Sequence, residues 1–101
     1  DLRVGTVLEG ERLKKDKKLL RFTIADGLEK RQILSGIAAE YDPSELIGRQ
    51  VVFIANLPAR TFKIGKEEMV SEGMIRSAAN YDGRLSVVTV DREVMPGSEV
   101  G

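Results

Sequence analysis

Apolar residues in this chain recur at every second position, and that periodicity restricts it to strands. Leu2, Val4, Thr6 and Leu8 share one face of a first segment, with Arg3, Gly5, Val7 and Glu9 on the other. Leu20, Phe22 and Ile24 alternate with Arg21, Thr23 and Ala25, and a third run covers Arg31 to Ile37. Gln50 to Ala55 (QVVFIA) is almost entirely apolar and β-branched, as suits a central strand buried on both faces. Two further strands are predicted around Met74–Ala79 and Leu85–Val90. Only one short helix is supported. Asp42 caps it, Pro43 takes the first helical position, Glu45 completes a capping box and Gly48 ends it. Asp26-Gly27 and Asp82-Gly83 mark turns, and the long gap from Leu57 to Val70, with Pro58, Gly65 and a mixed charge run, reads as a loop.

A length of 101 residues, 42% of them hydrophobic, suits one domain with its own core. Five strands with a short helix between the third and fourth is the order of the OB-fold, a partly open Greek-key barrel that binds oligonucleotides on strands two and three and the neighbouring loops. The expected fold is therefore all-β: a five-stranded Greek-key OB-fold barrel over residues 1–80. Residues 81–101 form a C-terminal extension with extra strand content that completes the same domain. There is no cysteine and no histidine. This removes disulfides, thiolate chemistry, the usual general base near neutral pH and most transition-metal sites, so no catalytic residue, metal or cofactor is expected. Glu67, Glu68 and Glu72 are the one acidic group able to take a hard cation, and the lysines interleaved with them favour a solvated charge run. No apolar run approaches the ~20 residues of a membrane span. Nothing calls for an oxidising compartment, so the expected location is cytoplasmic. A first residue already on a strand suggests a domain cut from a longer protein.

Sixteen basic and sixteen acidic residues give a net charge of zero, but the charges are not spread evenly. Arg12 to Arg21 reads RLKKDKKLLR, six cations against Asp16, a local charge of +5. In an OB-fold this run is the loop between strands one and two. It either contacts phosphates or forms a solvated loop, and charge alone leaves both readings open. Phe22, Phe53, Phe62, Tyr41 and Tyr81 are the only aromatic residues, with Phe22 and Phe53 on core faces and Phe62 beside Arg60 and Lys63. So few aromatics argue against general single-strand binding, which stacks bases on several rings, and fit recognition of a folded RNA by shape and backbone.

Four segments in order carry a resemblance: Asp1-Leu2-Arg3-Val4-Gly5-Thr6-Val7, Arg31-Gln32-Ile33-Leu34-Ser35-Gly36-Ile37-Ala38, Asn56-Leu57-Pro58-Ala59-Arg60 and Ser71-Glu72-Gly73-Met74-Ile75. Together they resemble the tRNA-binding OB domain that ends many bacterial methionyl-tRNA synthetases. The same domain occurs in stand-alone tRNA-binding proteins, in a secretion-chaperone relative and in phenylalanyl-tRNA synthetase β subunits. Asp91 to Ser98 is similar to the tail of the synthetase version. Two departures stand out. Ala59 precedes Arg60 where the family usually has proline, and Arg60 to Ser71 is a few residues longer than usual.

The resemblance implies a homodimer that binds tRNA by shape and backbone, with little sequence preference, beside a parent synthetase's catalytic domain and without DNA as a partner. The alternatives are a stand-alone tRNA-binding protein and a dimerising or chaperone-like module without RNA binding. Carried over by position, the tRNA-binding candidates are Lys15, Lys18, Arg31, Ser35, Arg60, Ser71 and Met74. Lys15, Lys18 and Arg60 would meet phosphates, Ser35 and Ser71 backbone oxygens, and Met74 a sugar or base. Each of the others has a structural reading beside it: an ion pair for Arg31, buried backbone groups near bends for the serines, core packing for Met74. Residues from about Arg84 onward exceed what five strands need. Leu85, Val87, Val90 and Val94 are the candidates for a dimer interface, with packing inside the monomer as the alternative.

Overall fold

The computed structural model describes residues 1–101. The two strongest alternations become the two longest strands, β1 (Leu2–Leu13) and β2 (Asp16–Ala25), followed by β3 (Lys30–Ser35), β4 (Gln50–Ile54), β5 (Arg60–Ile64), β6 (Glu67–Ser71), β7 (Met74–Ile75), β8 (Ser77–Ala79) and β9 (Leu85–Val87). β1 divides its length between two partners. Leu2 to Thr6 pairs antiparallel with β4, and Thr6 to Leu13 pairs antiparallel with β2, with a bulge between Val7 and Glu9 where the pairing changes over. The resulting sheet has the order β3-β2-β1-β4-β7, and β5–β6 and β8–β9 are separate antiparallel hairpins.

The inward faces meet in one core. Val7, Leu20, Phe22, Ile24, Ile33, Leu46, Val51 and Phe53 are all fully buried, each contributing about 1.5–3 kcal/mol of transfer free energy. The helix expected between strands three and four is a single 3-10 turn, Pro43–Glu45. Its capping box is present: Asp42 Oδ1 accepts from the Ser44 amide at 3.1 Å, and the Asp42 amide donates to Glu45 Oε2 at 2.8 Å. The turn drops Leu46, fully buried, into the core.

The five-stranded sheet is OB-like, with β3 and β7 as its edges. No continuous ladder joins those edges. The Glu72 amide donates to Gln32 O at 2.8 Å, Gln32 Nε2 donates to Val70 O at 2.9 Å, and the Leu34 amide donates to Ser71 Oγ at 3.0 Å. The barrel is thus stitched along this seam, partly by side chains.

Two expectations change. The segment from Leu57 to Val70 is not a loop. Most of it is the β5–β6 hairpin, paired from Arg60↔Ser71 to Ile64↔Glu67. Its outward face carries Thr61, Lys63, Glu68 and Val70, and its inward face Phe62, Ile64, Met69 and Ser71, so exposed charges mask a true alternation. The basic run is likewise not a loop. β1 extends to Leu13 and β2 begins at Asp16, leaving only Lys14 and Lys15 in the turn, with Lys17 and Lys18 on β2.

The C-terminal segment lies on the barrel. Gln50, almost fully buried, clamps Val94 from both sides: Nε2 donates to Val94 O at 2.6 Å, and the Val94 amide donates to Oε1 at 2.9 Å. Beyond it, Gly97 and Ser98 exchange hydrogen bonds with Val4, and the Val100 amide donates to Leu2 O at 2.9 Å. This tail therefore takes the side of β1 that β2 leaves vacant, locked where Gly97 abuts Gly27 (φ +89° and +92°) with no room for a side chain at either residue.

Candidate nucleic-acid interface

The surface that stands out is built by two hairpin tips in contact. Gly65 turns β5 into β6 at φ +63°, which suits glycine at the first turn position of a two-residue hairpin. A Cβ at Gly65 would lie 2.5 Å from Lys15 Cδ, so the aliphatic stem of Lys15 rests on the bare glycine backbone. This contact joins the β1–β2 turn to the β5–β6 turn and gathers Lys14, Lys15, Lys17, Lys18, Lys63 and Lys66. These are six of the seven lysines in the chain.

None of those lysines is in an ion pair. All six salt bridges of the structure use arginine. The arginines flanking the basic run are already occupied: Arg21 Nε donates to Glu11 at 2.6 Å, and Arg12 donates to the carbonyls of Ala38 and Tyr41. Asp16 accepts from the Lys18 amide. Glu67 and Glu68, brought in by the second hairpin, balance Lys63 and Lys66, so the tips together remain cationic. Exposed ammonium groups on flexible stems, none of them held in a salt bridge, suit a polyanion.

A small apolar hollow of about 140 Å³ lies at the base of the same hairpin, lined by Leu34, Leu57, Pro58, Phe62 and Met74, with Arg60 at its mouth. The Arg60 guanidinium carbon sits 4.6 Å from the Phe62 ring centroid. Leu57 and Met74 are each more than two-fifths exposed.

The candidates separate into groups. Lys15, Lys18, Arg60 and Met74 face solvent along this hairpin edge. Arg31 and Ser71, expected as RNA contacts, spend their polar groups inside the protein. Arg31 Nε donates to Asp26 Oδ2 at 2.6 Å, its Nη1 donates to Ala55 O and Glu72 O, and its guanidinium lies over Phe53. Ser71 Oγ accepts from the Leu34 amide and donates to Gly73 O, which satisfies the seam. Ser35 is half-buried at the end of β3, opposite Leu20. Burial of Asp26 pushes its carboxyl pKa up, but hydrogen bonds from Arg31 and from the amides of Glu29 and Leu28 outweigh this and hold it below the ordinary 3.8. A hollow of about 460 Å³ beside this pair is bordered by Arg3, Asp26 and Arg31, whose charges already face one another or Asp1.

Of the interface candidates, Leu85 and Val87 are partly buried against the core, and the Val87 amide donates to Tyr41 Oη. Val90 and Val94 lie farther out, Val94 being 37% exposed. The residues missed in the sequence are Lys63, Lys66 and Gly65. The signal for them was Ile64-Gly65-Lys66-Glu67, a glycine turn between two short alternations.

The fold has known counterparts. The family model described as "Putative tRNA binding domain" matches residues 2–99, and the chain belongs to that family. Similar proteins include methionine–tRNA ligases. The chain is 64% identical over 100 residues to that of Phocaeicola vulgatus and 46% identical over 101 residues to that of Methanocaldococcus jannaschii, in each case over 99% of this chain. It spans only 14% and 15% of the length of those two relatives. Among solved structures, a MetRS-related protein from Pyrococcus horikoshii superposes with a TM-score of 0.89 at 34% identity, covering 99% of this chain and 88% of that one. The chaperone CsaA of Bacillus anthracis superposes with a TM-score of 0.84 at 27% identity, covering 100% and 90%.

Proposed function

We propose that this chain is the tRNA-binding and homodimerising module of a cytoplasmic methionyl-tRNA synthetase, joined as a C-terminal domain to a catalytic body. The observation that carries this reading is the pair of touching hairpin tips with six unpaired lysines, on a chain of the tRNA-binding family. Lys15 and Lys18 hold phosphates, helped by Lys14, Lys17, Lys63 and Lys66. Phosphate contacts position an RNA without reading its sequence, so binding follows the shape of the tRNA and shows little preference among tRNAs. Arg31 and Ser71 frame this surface, their hydrogen bonds spent within the protein. Pairing of two copies through the C-terminal segment, around Val90 and Val94 with Leu85 and Val87 beneath, doubles weak contacts, and tethering to a catalytic body raises the effective tRNA concentration.

A titration with bulk tRNA at two salt concentrations tests this, with light scattering on the same samples. The expected result is a dimer with micromolar affinity that weakens steeply with salt, and a slope reduced by about one to two in Lys15→Ala/Lys18→Ala. A flat salt response would remove the phosphate account. The likeness to CsaA favours one second reading, a dimeric protein binder, whose signature is a dimer that leaves tRNA unbound at low salt.

A further inference from the structure

We infer that the apolar hollow at the base of the β5–β6 hairpin receives one unpaired nucleobase of the bound RNA. This rests on the tRNA-binding reading above and adds a second kind of contact to it. Three observations point to a base. The hollow is small, about 140 Å³, and its walls are mostly carbon, from Leu34, Leu57, Pro58, Phe62 and Met74, with Arg60, Ser71 and Gly73 completing the lining. The Arg60 guanidinium carbon lies over the Phe62 ring, 4.6 Å from its centroid, while Arg60 is itself exposed, so its outer face is open to a second planar ring. The lysine cluster lies on the same hairpin, with Gly65 five residues from Arg60 along β5, about 16 Å at strand rise. A backbone held by phosphates at the tip thus passes the hollow.

The chemistry also defines what the hollow does not do. The hydroxyl in its floor, Ser71 Oγ, is engaged by Leu34 and Gly73. The one free side-chain donor at the hollow is the Arg60 guanidinium, so the floor itself reads no base edge, and a paired, stacked base is excluded. The hollow adds affinity for RNA with an unstacked base over a plain duplex and leaves identity unread. An unpaired polyanion-seeking surface beside it favours RNA over an apolar peptide as the occupant.

The test is a tRNA titration of wild type, Arg60→Lys and Phe62→Ala, paired with NMR of the wild type during addition of adenosine monophosphate or inorganic phosphate. Arg60→Lys keeps the charge, removes the plane and sits at an exposed position, so it is informative even if Phe62→Ala unfolds. Expected are a loss of about tenfold in tRNA affinity in Arg60→Lys with the salt slope unchanged, since stacking is not a counterion effect, and shifts at the Met74 methyl and Phe62 ring with the nucleotide but not with phosphate. If tRNA binds and Arg60→Lys is silent, the hollow proposal fails while the tRNA reading stands. Nucleotide shifts confined to the lysines have the same meaning, and so does displacement of the Met74 signal by an apolar peptide alone. If wild type binds no tRNA at low salt, both fail.

Discussion

At residue scale, arginine and lysine divide the work between them. Arginines at positions 3, 12, 21 and 31 donate to carboxylates or carbonyls within the protein, as a planar fork allows, while the tip lysines stay free. The sequence shows only sixteen positive charges; which are spent depends on carboxylates and carbonyls up to 94 positions away, as for Arg3 and the Gly97 carbonyl, or 41 away, as for Arg31 and the Glu72 carbonyl. For that reason the sequence offered both an RNA contact and an ion pair for Arg31, but not the partners that make it a brace. The brace is testable. Asp26 has a side chain 7% exposed, and Asp26→Asn leaves Arg31 without its anion, with an expected loss of about 2–3 kcal/mol at neutral pH in urea unfolding. Because the folded-state pKa is depressed below 3.8, the unfolded chain takes up the proton first. The stability this pair confers is complete above about pH 4 and disappears as pH falls through the folded value. The gap between wild type and Asp26→Asn should therefore narrow in acid.

Among the elements, legibility follows burial. β2 and β4 read cleanly because their apolar faces are buried, with Phe22, Ile24, Val51 and Phe53 inaccessible to solvent. The β5–β6 hairpin escaped because it contributes only Ile64 and Ser71 to the buried set and shows solvent the charged residues Lys63 and Glu68. A strand half on the surface looks like a charge run. The same hairpin carries an element-level prediction. Gly65→Ala collides with Lys15 and strains a positive φ, so it should cost about 1 kcal/mol and speed amide exchange across Lys66–Val70. All charges remain, so tRNA affinity should fall about threefold with the salt slope unaltered.

For the whole molecule, zero net charge conceals one cationic edge, and the C-terminal segment is part of the barrel, not an appendage. The sequence marked residues beyond Arg84 as too apolar for a free tail, but it could not say that the tail would pair with β1, because such pairing depends on where β2 stops. Ending the chain after Met95 removes the three backbone hydrogen bonds to Leu2 and Val4, with an expected loss of about 3 kcal/mol and association through the bared edge, read as a lower urea midpoint and rising light scattering. The same pairing has a consequence in time. Leu2 and Val4 await partners 93 to 98 residues downstream, so during synthesis β1 keeps a raw flank until Val100 has been added. Contacts of such high order close late and slow folding. Residues 97–100 are therefore the ones that finish β1, and a chain interrupted before them carries an adhesive edge for as long as it is short of them.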